Sequence, residues 1–202
     1  MKKTELELEL SKLKLVENPK VFLEQYGTHA DIAAEALWLA YISGDIENKV
    51  VVDLGCGNGI LGIGALLLNA KKVYFVDIDK DSINVCKENL KMMELDGEVF
   101  LKDVNLFDKK VDTVLQNPPF GVQVEHADKR FLERAMVLSN VIYSIHKIES
   151  EKFIKKLSRD RGFVLEGVKS FRMKLKKTQK FHTSDSYSVK VGCFRIIKNL
   201  KI

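Results

Sequence analysis

The chain has 202 residues, of which 46% are hydrophobic and 30% charged, with a formal net charge of +5. This fits one ordinary globular domain with a real core, and the mild positive charge permits an anionic partner without demanding one. No apolar run approaches the ~20 residues that span a bilayer, Met1-Lys2-Lys3-Thr4-Glu5 is no signal core, and Cys56, Cys86 and Cys193 are too scattered for a disulfide framework or a zinc site, so the expectation is a cytoplasmic protein with no membrane and no metal.

Leu6, Leu10 and Leu13 share a helical face in a stretch rich in Leu, Glu and Lys, which predicts a helix over 6–16. Pro19 breaks that pattern, and 21–27 reads as a connector. Thr28 is placed to N-cap the next helix, with Asp31 in its first turn and Gly44 at its end. The apolar run Val50-Val51-Val52-Asp53-Leu54 then predicts a strand. It feeds the glycine loop Gly55-Cys56-Gly57-Asn58-Gly59 and a helix over 60–68. A strand over 73–76 ends on Asp77, a helix over 80–93 presents Ile83, Cys86, Leu90 and Met93, and a strand over 98–102 ends on Asp103. A strand over 111–115 leads to Asn117-Pro118-Pro119-Phe120. A helix over 128–138, a strand over 141–145 and a helix over 151–158 capped by Ser150 follow. Segments 163–173 and 187–197 read as two antiparallel strands joined by a long basic connection. Such alternation predicts a single doubly wound α/β domain over 1–202 with a short N-terminal helical extension. Its sheet has seven strands, mainly parallel with an antiparallel last strand, and helices on both faces.

Open parallel sheets bind ligands beyond the carboxyl ends of their strands. Gly55, Gly57 and Gly59 clear side chains from a loop where a ligand must come close, and Asp53, Asp77 and Asp103 sit at or near successive strand ends. Asp77 is placed for ribose hydroxyls, and Asp103 for an adenine amino group with Val104 against the ring. The plainer alternative has Asp53 capping the turn and Asp103 starting a loop. Gly57-Asn58-Gly59-Ile60-Leu61-Gly62 also matches the dinucleotide pattern, but such a match alone is weak and no hydride-handling site accompanies it.

The exocyclic nitrogen of adenine is a poor nucleophile because its lone pair is delocalised. Two acceptors aimed at its N–H bonds draw the nitrogen toward a tetrahedral shape. Asn117 offers its side-chain oxygen and Pro118 its carbonyl. Pro118 and Pro119 stiffen the turn before substrate arrives, and near-attack geometry depends on such stiffness. Phe120 offers a face for a stacked base. The pattern reads as S-adenosylmethionine-dependent N-methylation of a nucleobase or an amide, with no strong base required.

These residues carry a resemblance. The segments Leu23-Glu24-Gln25-Tyr26-Gly27-Thr28, Asp53 to Leu61, Phe75-Val76-Asp77-Ile78-Asp79, Asn117-Pro118-Pro119-Phe120-Gly121, Tyr143-Ser144-Ile145-His146-Lys147 and Lys180-Phe181-His182 are similar to the methyltransferase-like protein five family and its archaeal relatives. That resemblance implies a Rossmann-like class I methyltransferase acting on N6 of an adenine in small-subunit ribosomal RNA. It implies cofactor contacts at Gln25, Thr28, Gly55, Asn58, Ile60, Asp77, Asp103 and Val104. It also implies a small zinc-binding activator protein pairing along a sheet edge, for which the third strand, 98–102, is the expected place.

The tail carries Lys169, Arg172, Lys174, Lys176, Lys177, Lys180 and His182 among Phe171 and Phe181, a mixture suited to RNA, with Lys129 and Arg130 extending the track. His146 reads either as a pocket-shaping residue or as a packed one. The competing functions are methylation of a protein glutamine amide, which uses the same lone-pair logic, and a non-catalytic RNA-binding scaffold.

Overall fold

In the computed structural model, which describes residues 1–17, 19–20, 27–120, 127–176 and 186–199, the sheet grows outward from β1, Val50–Leu54. Its apolar, β-branched side chains are buried on both faces, as a central parallel strand requires. It lies between β2, Lys72–Asp77, and β4, Thr113–Gln116. β3, Glu98–Leu101, adds to β2, and β5, Val141–Lys147, adds to β4, all in parallel. β7, Ser186–Lys198, runs antiparallel between β5 and β6, Phe163–Lys176. The strand order is β3-β2-β1-β4-β5-β7-β6.

Four helices cover one face: α1, Lys3–Ser11; α2, Ala30–Ile42; α3, Ile60–Leu67; and α4, Lys80–Met92. They pack Leu10, Leu37, Ile63 and Cys86 against Val51, Phe75, Leu115, Ile145 and Cys193. α5, Ala127–Leu138, and α6, Glu151–Asp160, cover the other face with Leu132, Leu138 and Ile154 against Val52, Val76, Ile142 and Phe194.

Local hydrogen bonds move some boundaries. α1 begins at Lys3, where the Lys2 N–H donates to the Glu5 carboxylate at 2.8 Å, and stops at Ser11 instead of reaching residue 16. Beyond it, the Lys14 peptide is held by Asn89, whose Oδ1 accepts its N–H at 2.8 Å and whose Nδ2 donates to its carbonyl at 3.1 Å. β4 begins at Thr113 because the Val111 N–H donates to the Leu138 carbonyl and the Asp112 N–H to Val50. Ser150 precedes α6 but makes no side-chain cap, since its backbone continues a 3-10 turn over Ile148–Ser150. Thr28 is not the cap of α2 either. His29 holds that position, and the Thr28 hydroxyl is used elsewhere.

Candidate active site

The glycine loop leaves β1 at the carboxyl edge of the sheet. The N–H groups of Gly55 and Cys56 both donate to the Val76 carbonyl, at 2.8 and 3.0 Å, tying the loop to the end of β2. Gly57 has φ +54, and a Cβ built there meets nothing within 4 Å, so the loop opens onto free space at this point. Gly59 has φ +87 and starts α3, pressed against Cys86.

Asp53 turns inward. It is fully buried, and its Oδ2 accepts the Gly62 N–H at 2.8 Å, latching β1 to the first turn of α3. Burial pushes its carboxyl up to about 8, against the opposing pull of the Gly62 N–H and with a smaller contribution from Asp77. Asp77 stands at the loop mouth. Its oxygens accept from Gly57 N–H at 2.8 Å and Asp79 N–H at 2.9 Å, and burial raises its pKa. Each oxygen keeps a lone pair for a further donor. Asp103 accepts from the Asn105 N–H and Nδ2, both at 2.8 Å, and faces Arg130 at 3.8 Å. Val104 and Ile60 are buried. Asn58 donates from Nδ2 to the Lys14 carbonyl at 3.0 Å, so its side chain docks the segment after α1. Gln25 lies outside the described residues.

At the end of β4, Asn117 Nδ2 donates to Thr28 Oγ1 at 2.8 Å. Asn117 Oδ1 is buried and has no hydrogen-bond partner among the described residues. Pro118 is buried, while Pro119 and Phe120 are half-buried. The Lys147 ammonium lies 5.6 Å from the Phe120 ring centroid. Behind the turn, Gln116 Nε2 donates to Ser144 Oγ at 2.9 Å, and that hydroxyl lies 2.5 Å from His146 Nε2. Burial holds His146 down to about 3, so the imidazole is neutral. His146 is thus a packed residue, set edge-on to Phe194. The sequence reading missed Gln116 and Ser144. Both are polar residues fully buried within strands, Gln116 on β4 and Ser144 on β5.

The proposed RNA track is spread wider. Lys129 is half-buried and Arg130 exposed on the first turns of α5. Arg172 is exposed on β6, and Lys169 pairs with Glu35 at 3.6 Å. Phe171 is no free stacking face, because it packs against the helix-covered core. Lys174 and Lys176 are paired in register with Ser188 and Ser186. Lys177 and Lys180, with Phe181 and His182, lie outside the described residues.

The open cradle at Gly57, the N-terminus of α3 and the Asp77 carboxylate suit a nucleoside carrying a cationic tail. Strand order, glycine loop and the Asn-Pro-Pro turn together point to a methyltransferase that uses S-adenosylmethionine. Comparison narrows the class. Residues 12–140 match the family described as Methyltransferase small domain. The chain is 36% identical to rRNA N(6)-adenosine-methyltransferase METTL5 of Danio rerio, over 96% of this chain and 98% of that protein. It is 37% identical to the Mettl5 enzyme of Drosophila melanogaster, over 89% and 88%. The crystal structure of a candidate RNA methyltransferase from Pyrococcus horikoshii superposes with a TM-score of 0.92, at 46% identity over 98% of both chains. The chain belongs to the Methyltransferase small domain family and, within it, to the methyltransferase-like protein five group.

Proposed function

We propose that this protein methylates N6 of an adenine in RNA, with small-subunit ribosomal RNA as the substrate class, and that residues 1–202 act as one catalytic domain. The observation that carries this reading is the buried Asn117 Oδ1, without a hydrogen-bond partner among the described residues, at the head of a double-proline turn. An acceptor held there awaits a donor, and an exocyclic amine is a donor.

S-adenosylmethionine supplies an electrophilic methyl group on a sulfonium and leaves as a neutral thioether. Gly55, Gly57, Asn58, Ile60, Asp77, Asp103 and Val104 are the residues proposed to form its site, with Asp53 holding the loop from behind. Gln25 and Thr28 are kept as proposed contacts. Asn117 Oδ1 and the Pro118 carbonyl accept the two amine N–H bonds and free the lone pair. The N–C bond forms as the C–S bond breaks, and the alkylated nitrogen then loses a proton to water. Pro119 stiffens the turn, and Phe120, with Lys147 beside its ring, offers the stacking face.

Lys129, Arg130, Arg172, Lys174, Lys176, Lys177 and Lys180 are proposed to meet the RNA backbone. A small zinc-binding activator is proposed at β3, which is an edge of the sheet with Leu101 exposed on it and Ile78 and Leu106 exposed nearby. Its expected location is the cytoplasm. No helix among the described residues is long and apolar enough to cross a membrane.

The test is methyl transfer onto deproteinised ribosomal RNA, read by nucleoside mass spectrometry. Wild type should yield N6-methyladenosine, and Asn117→Ala should lower the rate by roughly 10²–10³. Methylated glutamine in place of methylated adenine would move the amide reading to the front. An Asn117→Ala protein that keeps full function in cells would favour the scaffold.

A further inference from the structure

We infer that Lys190 on β7 and Arg172 on β6 form a cation pair that receives the RNA backbone beside the active site. This rests on the RNA-methylation reading and goes beyond it by naming Lys190, which the proposed cationic track lacks.

Arg172 and Lys190 lie directly opposite each other in the β6–β7 ladder. Side chains so placed share one face of the ribbon, with Cβ atoms about 5 Å apart. Both are exposed. Neither meets a carboxylate among the described residues. Like charges directly opposite in an antiparallel pair are destabilising. Nearer the middle of the same two strands, charge is compensated. Arg195 meets Glu166 and also Asp45, the latter at 2.8 Å, and Lys169 faces Glu35 at 3.6 Å.

Protection of the β6 edge against stray pairing does not explain the exception. A carboxylate at either position would blunt the edge as well, and it would stabilise the pair. Two facing cations are better suited to an anion, because a phosphate between them relieves their repulsion and gains both contacts.

Their place in the fold points to RNA as the source of that phosphate. β5 ends at Lys147, which pairs with Val191, so Lys190 stands just past the end of β5. The β6–β7 ladder runs on beyond it to Lys176 and Ser186. The pair therefore lies at the carboxyl edge of the sheet, the edge that carries the Asn-Pro-Pro turn after β4. The strands run β4, β5, β7, β6 from that turn outward. At about 4.8 Å per strand, the pair is on the order of 10–15 Å from the turn. An RNA strand with its target base at the turn carries flanking phosphates across that span.

Lys190→Gln, Lys190→Glu and Lys190→Arg separate this role from a structural one. Binding of a labelled single-stranded RNA oligonucleotide is measured against salt concentration, and the melting temperature of the free protein is measured in parallel. Lys190→Gln should weaken RNA binding about threefold to tenfold and reduce the slope of log affinity against log salt by about 1. The same variant should melt about 1–3 °C higher at low salt, and the gain should fade at high salt, as relief of a repulsion requires. Lys190→Glu should move both quantities further in the same directions, and Lys190→Arg should keep both near wild type.

An unchanged slope in Lys190→Gln, with wild type binding RNA normally, overturns the pair and leaves the RNA reading standing. A Lys190→Gln protein that melts lower than wild type makes Lys190 a structural residue and overturns the pair as well. A wild type that binds S-adenosylmethionine but no RNA overturns the RNA reading and the pair together.

Discussion

Asp53 shows how a single buried group sets a pH dependence. Its folded pKa, raised to about 8 by burial, stands against an ordinary value of 3.8. The native state therefore holds a proton that the unfolded chain has released between those values. Stability is fully present below pH 3.8 and declines as pH rises toward 8. Asp53→Asn keeps an acceptor for the Gly62 N–H and removes the titration. Urea unfolding at pH 5 and pH 8 should show a smaller loss for the variant than for wild type. Equal losses would mean that Asp53 does not titrate in this window. Gly59 makes a second prediction. A Cβ there would lie 2.7 Å from Cys86 Sγ at φ +87, so Gly59→Ala should cost about 1–3 kcal/mol and lower the melting temperature. The glycine loop was legible in sequence because left-handed backbone selects for glycine. The Thr28–Asn117 and Gln116–Ser144 pairs were not, since their partners are distant in the chain and joined only by the fold.

At the scale of elements, strand and helix types followed from period and punctuation, and β1 was read to the residue. Some misplaced ends were set by a side chain or carbonyl from another part of the chain, as when Asn89 takes up the Lys14 peptide beyond α1. Asn89 is fully buried, and its Nδ2 also donates to the Asn58 carbonyl at 2.9 Å, so one amide joins α4, the glycine loop and the segment after α1. Asn89→Ala removes the acceptor of the Lys14 N–H and the donor to the Asn58 carbonyl, and leaves the Lys14 carbonyl to Asn58 Nδ2 alone. We expect a loss of about 1–3 kcal/mol in chemical denaturation and faster hydrogen exchange at the Lys14 amide. If the Lys14 amide stays protected, the segment is held by its other contacts.

For the whole molecule, the net charge of +5 is modest, and association with RNA must depend on where that charge lies. Arg172, exposed on β6, is the member of the proposed tail track whose side chain is both described and free of a carboxylate partner among the described residues. Arg172→Gln should weaken RNA binding to a similar extent across sequences and reduce the slope of log affinity against log salt by about 1. An unchanged slope would remove Arg172 from the interface.

Strand order carries a consequence for biosynthesis. β7 lies between β5 and β6, so β6 is synthesised before the strand that joins it to the sheet. Until residue 198 has emerged, β5 presents an unpaired edge. Ile142, Ser144, Ile145 and His146, all buried in the finished fold, lie along that edge. A nascent chain at this stage is open to wrong pairing with another chain. A chaperone that shields the β5 edge during translation should therefore raise the yield of folded protein more than one acting after release.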